Sequence, residues 1–437
     1  MKNIKSSIYG VTDSLASPVL MLLATPVFFS YLGVEGYAIW VLVNSIIASL
    51  AIFNLGGSEV AIKFVSSSRN KGGKDSAGEI FSTIFLFQSI VVLIIYVLFL
   101  IVAPIAIQII TSNNLLTIIS VLYIAIPIFF VKQSEEMLYA FFKGYEQFGQ
   151  VVIISTISKI LFFSTQIFIA IYTESVINIF YGALIVSILL FFLQAVYVKR
   201  IHKSNISFSK ANIKTAKSLL NFSAWNGLAS LTTMLRSQSD KWLVSGLLGL
   251  KVFGFYSIGI LVFNQLYSIV GSSVYWVFPE ISKKAFDKKH LARKYWKLLF
   301  FVCIVSLIIS FTLIKFNFLF QLWLGEEFFQ NSKYYINTFL LLFPVFALSI
   351  VSSLYLLGLG LVKYEFFVNA VTFFAKVITV WAVIDVFKVE DWVMFFLLFI
   401  VVEFIAYAII ISKKLPIKFT YLMIFLLLQV VIVFARI

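Results

Sequence analysis

The chain has 437 residues, of which 61% are hydrophobic and 12% are charged, and its mean hydropathy is +1.03. This composition excludes a soluble globular domain and indicates a polytopic membrane protein. The net charge of +15 is concentrated in connecting segments rather than spread over one face, which argues against nucleic-acid binding.

Apolar stretches recur along the whole chain. A spanning helix needs roughly 20 predominantly apolar residues, and the pattern predicts twelve such helices. In chain order they cover residues 8–32, 36–57, 80–111, 116–142, 150–172, 176–198, 221–248, 253–280, 296–320, 334–357, 364–387 and 391–411. A further apolar run, Tyr421 to Ala435, is short for a span and predicts either a thirteenth helix or a shallowly inserted tail.

The predicted helices form two pseudo-symmetric six-helix bundles in an all-α fold. Gly33 and Gly249 lie in similar stretches and serve tight turns at matching places in the two halves. Both halves enter the membrane from the same side, because each contains an even number of helices. We place an N-terminal bundle at residues 1–198, a basic cytoplasmic linker at 199–217, a C-terminal bundle at 218–414 and an additional apolar tail at 415–437.

Basic residues alternate between the predicted connections. Most of the 34 Lys and Arg residues fall at the amino end or in even-numbered connections, whereas odd-numbered connections hold only Lys251, Lys333 and Lys388. The positive-inside rule therefore places the N-terminus in the cytoplasm. Compact loops and heavy use of Asn, Ile, Lys and Phe suit a multi-pass protein of the bacterial inner membrane.

Sequence motifs for metal or nucleotide chemistry are missing. Gly72-Gly73-Lys74-Asp75 has neither the spacing nor the hydroxyl of a nucleotide-binding loop. Cys303 is the single cysteine, so neither a disulfide nor a cysteine metal site can form within the chain. His202 and His290 stand alone in basic loops, where we expect them to be solvated. We therefore predict no metal centre and no cofactor.

Enzymatic activity is also disfavoured. A membrane polysaccharide polymerase generally presents a sizeable external loop with acidic catalytic residues. The longest predicted external segment, Phe320 to Lys333, offers only Glu326 and Glu327. We predict that the chain is not an enzyme.

Three short stretches carry a resemblance to a known family. They are Phe142-Lys143-Gly144-Tyr145-Glu146-Gln147-Phe148-Gly149, Ser239-Asp240-Lys241-Trp242 and Gly254-Phe255-Tyr256-Ser257. With the helix count and spacing up to about residue 415, the chain resembles the Wzx-type O-antigen and polysaccharide flippases of the multidrug/oligosaccharidyl-lipid/polysaccharide exporter superfamily.

The resemblance implies a V-shaped pair of bundles around a cationic central cavity. It also implies transport of an undecaprenyl-diphosphate-linked oligosaccharide from the cytoplasmic to the periplasmic leaflet by alternating access. A polysaccharide polymerase and chain-length proteins would be its protein partners, in addition to membrane lipid.

Two lysines lie deep in predicted helices at corresponding positions of the two halves. At 1.5 Å per residue, Lys159 is roughly 13 Å beyond Gln150 and Lys376 roughly 18 Å beyond Tyr364, close to the middle of a hydrocarbon core about 30 Å thick. A lysine at that depth costs about 2.5–3.5 kcal/mol on insertion. We predict that both face a common wet cavity, although a structural tie to a backbone carbonyl or a carboxylate on a neighbouring helix is the alternative.

Polar residues share the helix face of each lysine, which supports a binding role. Charge-assisted hydrogen bonds of about 2 kcal/mol each would favour a diphosphate headgroup. A drug or cation antiporter of the same superfamily is the alternative function, and it would need acids in the cavity instead. The predicted binding stripes are Ser155, Lys159 and Gln166 in the first half and Asn369, Thr372 and Lys376 in the second.

The remaining charged candidates are Arg236, Asp240, Glu403 and Asp13. Arg236 and Asp240 are spaced to pair at i, i+4, and both an interfacial ion pair and a substrate role for Arg236 are open. Glu403 is the one acid predicted near mid-membrane, where the cost of ionising it suits proton coupling; a salt bridge with Lys376 is the alternative. We group Asp240 and Asp13 with Glu403 as coupling candidates, although Asp13 can equally complement the start of the first helix.

Overall fold

The computed structural model describes the backbone of residues 2–50, 115–145, 147–202, 231–275, 277–283, 287–383 and 389–434, together with isolated residues between 62 and 101. Every regular element within these ranges is helical. The helices are α1 (Lys2–Leu50), α2 (Leu115–Gly144), α3 (Phe148–Thr173), α4 (Val176–His202), α5 (231–247), α6 (Gly249–Tyr275), α7 (Phe278–Lys283), α8 (Lys288–Lys315), α9 (Phe318–Leu324), α10 (Glu326–Gly358), α11 (Val362–Val383), α12 (Val389–Lys414) and α13 (Phe419–Phe434).

Within the described part of the chain, seven helices are long and apolar enough to cross a membrane. They are α1 from Ala16 onward, α2, α3, α4, α6, α8 and α10. The prediction of an all-helical polytopic membrane protein is confirmed.

The two predicted turn glycines have left-handed backbone conformations. Gly33 interrupts α1 at φ 69° and ψ −179°, and Gly249 has φ 81° at the junction of α5 and α6. A Cβ atom at either position would meet nothing within 4 Å. Glycine is therefore required by the backbone conformation and not by lack of space.

The chain divides into two compact units, Met1–Leu231 with Lys241–Lys251 and Thr232–Asp240 with Val252–Ile437. In the first unit α1 packs on α3, α2 packs on α4, and α3 packs on α4. A buried cluster that includes Phe141, Phe142 and Val151 joins the α2–α3 turn to α4.

In the second unit α10 is the central helix. It packs against α7, α8, α9, α11, α12 and α13, and most of its length from Tyr335 to Gly358 is buried. A helix that is apolar on nearly all sides suits such an interior position. The predicted tail forms α13, which packs on α10 and α12.

The surroundings of His290 differ from the prediction. His290 lies in the first turn of α8, where its Nε2 is 2.9 Å from Oε1 of Glu280 and its backbone N–H donates to the Asp287 side chain at 3.0 Å. Lys294 pairs with the same Glu280 carboxylate. The prediction of an isolated, solvated loop histidine is wrong here, because α7 brings an acid to the start of α8. His202 ends α4, and its side chain lies outside the described residues.

Candidate functional site

A cavity of about 190 Å³ lies within the second unit. Five helices, α5, α6, α10, α11 and α12, contribute to its wall. Its charged lining residues are Arg236, Asp240, Lys376 and Glu403, all of which are candidates from the sequence. Tertiary packing therefore gathers in one place residues that are up to 167 positions apart in the chain.

Arg236 and Glu403 form the central ion pair of this cavity. Nη1 of Arg236 donates to Oε2 of Glu403 at 2.5 Å, and Glu403 is only 2% exposed. The sequence offered Asp240 as a partner for Arg236 and Lys376 as a partner for Glu403, whereas the structure pairs Arg236 with Glu403. Sequence spacing suggests partners on the same helix or on the helix that follows it in the chain. The guanidinium group of Arg236 instead reaches from α5 to α12, which is distant in the chain.

Lys376 is buried and lines the cavity. Its Nζ donates to the backbone carbonyl oxygen of Arg236 at 3.2 Å. The sequence left two alternatives for Lys376, namely a hydrogen bond to a backbone carbonyl and a position that lines a cavity. Lys376 shows both features. This hydrogen bond connects α11 to the same turn of α5 that carries the ion pair.

Asp240 joins the wall through an aromatic partner. The hydroxyl group of Tyr256 donates to Oδ2 of Asp240 at 3.2 Å. Among the described residues, neither Oδ1 of Asp240 nor Nε of Arg236 has a hydrogen-bond partner, although both atoms are buried. One acceptor and one donor in the residues that line the cavity therefore keep unused hydrogen-bonding capacity.

Aromatic side chains form the other side of the cavity. The rings of Phe263 and Phe346 meet edge to face with centroids 4.4 Å apart, and Phe339 lies 5.5 Å from Tyr256. Tyr267 also lines the cavity. The sequence alone does not distinguish these rings from the others, because 18% of the chain is aromatic and no spacing marks a subset of them.

Asn369 and Thr372 are buried beside the cavity but do not line it. Nδ2 of Asn369 donates to Oγ1 of Thr233 at 3.0 Å, which fastens α11 to α5. The Thr372 hydroxyl donates to the Val368 carbonyl within its own helix. These contacts support the helix that presents Lys376.

The predicted stripe of the first half lies in the first unit. Ser155 donates to the Val152 carbonyl at 3.1 Å, and Gln166 accepts a hydrogen bond from Nε1 of Trp40 at 2.9 Å, which joins α3 to α1. Lys159 is half-buried on α3. A cavity shared by Lys159 and Lys376 stays a prediction. The side chain of Asp13 lies outside the described residues.

A second buried acid was missed. Glu135 on α2 is 3% exposed and accepts a 2.8 Å hydrogen bond from Nζ of Lys132. It lies roughly 13 Å before the end of α2, so a buried acid also occurs within a predicted spanning helix of the first half. The signal was present, because Glu135 and Glu136 interrupt an apolar run. Nearby, Gln194 donates to the hydroxyl groups of Tyr139 and Ser158 and joins three helices of the first unit.

Metal binding finds no support in this geometry. No group of three or more His, Cys, Asp and Glu side chains that could hold a metal ion occurs in the part of the chain that the structure describes. The cavity instead combines two cations, two carboxylates and aromatic rings, which suits an amphipathic or polyhydroxylated ligand.

Comparison with known proteins identifies the family. The family of polysaccharide biosynthesis proteins matches residues 32–333. The chain belongs to this family. A relative from Shigella flexneri that is named for O-antigen transport is 25% identical over 373 residues, which cover 82% of the chain and 86% of the relative. The resemblance derived from the sequence is confirmed.

Solved structures show that this member of the family has a transporter fold. An inward-facing multidrug resistance MATE family transporter of the MOP superfamily matches with a TM-score of 0.70 at 13% identity, over 92% of this chain and 98% of that one. A MOP superfamily transporter from Pyrococcus furiosus, described as having a binding pocket of reverse polarity, matches with a TM-score of 0.58 at 16% identity, over 94% of this chain and 96% of that one. At these identities the likeness concerns the fold alone.

Proposed function

We propose that the protein is a non-enzymatic flippase that moves an undecaprenyl-diphosphate-linked oligosaccharide from the cytoplasmic to the periplasmic leaflet by alternating access. The bacterial inner membrane, with the N-terminus in the cytoplasm, is the proposed location. The observation that carries the proposal is the pair of cations, half-buried Arg236 and buried Lys376, in an aromatic-walled cavity. Family membership and the transporter fold support it.

The lining matches the chemistry of such a ligand. Each charge-assisted hydrogen bond from Arg236 or Lys376 to a phosphate oxygen would contribute about 2 kcal/mol. Nε of Arg236 is a buried donor without a partner among the described residues, and a rearrangement that exposed it would add a contact to phosphate. The rings of Tyr256 and Phe263 can stack on sugars, and Oδ1 of Asp240 can accept from sugar hydroxyl groups.

Glu403 is the proposed coupling acid. The 2.5 Å contact between Glu403 and Arg236 supports a competition between this carboxylate and the substrate for the guanidinium. Protonation of Glu403 would weaken the pair and free the guanidinium for the diphosphate. Ionisation of Glu403 would restore the pair and favour release, since two anions would then compete for one cation.

The wider assembly is part of the same proposal. Lys159 would provide a third cation for the diphosphate, and Ser155 and Gln166 would support its helix. A polysaccharide polymerase and chain-length proteins would use the product. Asp240 and Asp13 are further coupling candidates.

Transport in proteoliposomes tests the proposal. The protein is reconstituted with labelled undecaprenyl-diphosphate-linked oligosaccharide, and the fraction that becomes accessible to an impermeant reagent is followed over time. Lys376→Ala should slow flipping at least about tenfold, because one phosphate contact of about 2 kcal/mol is lost. Lys413→Ala, which removes an exposed lysine at the end of α12, is the matched control. Full activity of Lys376→Ala would refute a role for this cation.

An antiporter of organic cations is the second candidate, favoured by one observation. The cavity contains Asp240 and Glu403 together with aromatic rings, which is also a suitable environment for a desolvated cation. Uptake of a lipophilic dye cation by the same vesicles separates the two functions. Dye transport that is lost in Asp240→Asn, without any flipping of the saccharide lipid, would favour the antiporter.

A further inference from the structure

One exposed face of α8 changes from basic to apolar along its length. Lys289, Arg293 and Lys297 follow one another at i, i+4 spacing and are all exposed. The same face continues with exposed apolar residues on the following turns. These are Phe300 at 52%, Phe301 at 48%, Ile304 at 55% and Ile308 at 60% exposure.

The basic residues of this face differ from two neighbouring residues of α8 whose side chains contact a carboxylate. Lys294 and His290 point to Glu280 of α7 and form ion-pair contacts with its carboxylate. Lys289, Arg293 and Lys297 form an adjoining stripe of the helix, where they are exposed. Three positive charges therefore remain along about 12 Å of helix surface, given a rise of 1.5 Å per residue.

The C-terminal helix α13 repeats the pattern. It begins beside the exposed Lys418, whose Nζ lies 5.7 Å above the ring of Tyr421. Tyr421, Ile424 and Leu427 follow at i, i+3 spacing and are 53–57% exposed. Each of these helices thus presents a cation at its amino end and apolar side chains beyond it.

The amino ends of α8 and α13 lie at the same end of the second unit. The Tyr355 hydroxyl near the end of α10 donates to the Leu291 carbonyl at the start of α8. After the short α10–α11 turn, the ring of Tyr364 lies 5.6 Å below Nζ of Lys414, at the end of α12 and just before α13. Both basic ends therefore face the same membrane surface.

Aromatic contacts hold the two helices side by side. The ring of Phe425 lies 6.0 Å from that of Trp296 and 5.0 Å from that of Phe300. Trp296 is roughly 12 Å into α8 and Phe425 roughly 9 Å into α13. The basic residues of the two helices therefore lie at similar heights, and so do their exposed apolar residues. Together these residues form one surface, which we call the α8–α13 surface.

We propose that the α8–α13 surface binds an anionic phospholipid in the leaflet where both helices begin. Its basic residues complement a phosphate headgroup without an ammonium group of its own, and its apolar residues complement the acyl chains. The apolar part of α8 from Phe300 to Ile308 is roughly 12 Å long, close to half of a hydrocarbon core of about 30 Å. That length suits a phospholipid confined to one leaflet better than a long polyprenyl chain. The inference does not depend on the transported substrate.

Lipid binding to the full-length protein tests the proposal. The purified protein is mixed with phosphatidylglycerol or phosphatidylcholine of identical acyl chains, and bound lipid is counted by native mass spectrometry. The triple variant K289Q/R293Q/K297Q should lose at least about tenfold of the preference for phosphatidylglycerol, because each basic residue near an anionic surface contributes about fivefold. Arg293→Gln alone should lose about fivefold, and it serves if the triple variant does not fold.

The matched control is K199Q/R200Q, which removes two exposed cations from the end of α4 in the first unit. It should keep the wild-type preference. An unchanged preference in both α8 variants, or an equal loss in the α4 control, would overturn the assignment. Undecaprenyl diphosphate is the competing ligand. It could displace phosphatidylglycerol at equimolar amounts, and the triple variant could lose binding of both lipids. In that case the surface is a substrate site and the phospholipid assignment fails.

Discussion

The Arg236–Glu403 pair provides the sharpest test of the site. We expect Arg236→Met to destabilise the protein by about 3–5 kcal/mol, since it leaves the buried Glu403 charge without compensation. Glu403→Leu should cost less, because the Arg236 that it leaves behind is half-buried. The double variant should lose less than either single variant, because an apolar pair of similar volume replaces two buried charges. The coupling energy from this double-mutant cycle should be about 2 kcal/mol or more.

The cycle is measured as reversible unfolding of the purified protein in mixed detergent micelles. Glu327→Leu, at an exposed position in the first turn of α10, is the control and should change the free energy of unfolding by no more than about 0.5 kcal/mol. Additive losses in the double variant would refute the reasoning. They would show that Arg236 and Glu403 are each stabilised by surroundings other than one another.

Three further predictions concern coupling, binding and the backbone. Glu403→Gln should still bind the lipid but flip it at a rate that no longer depends on pH, because the competing carboxylate is gone; transport over a pH series checks this. Alanine at Lys376 or Lys159 should slow flipping at least about tenfold, because a phosphate contact of about 2 kcal/mol is lost, whereas arginine should retain more of the activity. The vesicle assay measures both. Gly33→Ala should destabilise the protein by about 1 kcal/mol, since φ is 69° at this position. Gly271→Ala in the interior of α6 is the control and should not destabilise the protein. Thermal unfolding compares the two variants.

Clear results would contradict each of these predictions. A wild-type pH response in Glu403→Gln would reduce Glu403 to a structural ion pair. Full transport by both alanine variants would show that the lysine charges are not needed. A stable Gly33→Ala protein with an unstable Gly271→Ala protein would show that local space, and not backbone conformation, limits these glycines.

The sequence by itself determined the membrane class, the all-helical fold and the turn at Gly33. These features follow from local properties, namely apolar runs of sufficient length and glycine at a left-handed position. It also selected Arg236, Lys376 and Glu403 as candidates, because a charge within an apolar run is costly and therefore conspicuous. Glu135 carried the same signal.

Only the tertiary structure decided which of these charges meet. The partner of Arg236 is Glu403 on α12, since a long side chain can cross to any helix that packs beside its own. Likewise, α7 brings Glu280 to His290, and Tyr256 lies against Asp240 because α6 packs beside α5. Periodicity specifies the face of a helix but not its neighbour, and neighbours are set by side-chain packing among many similar apolar faces.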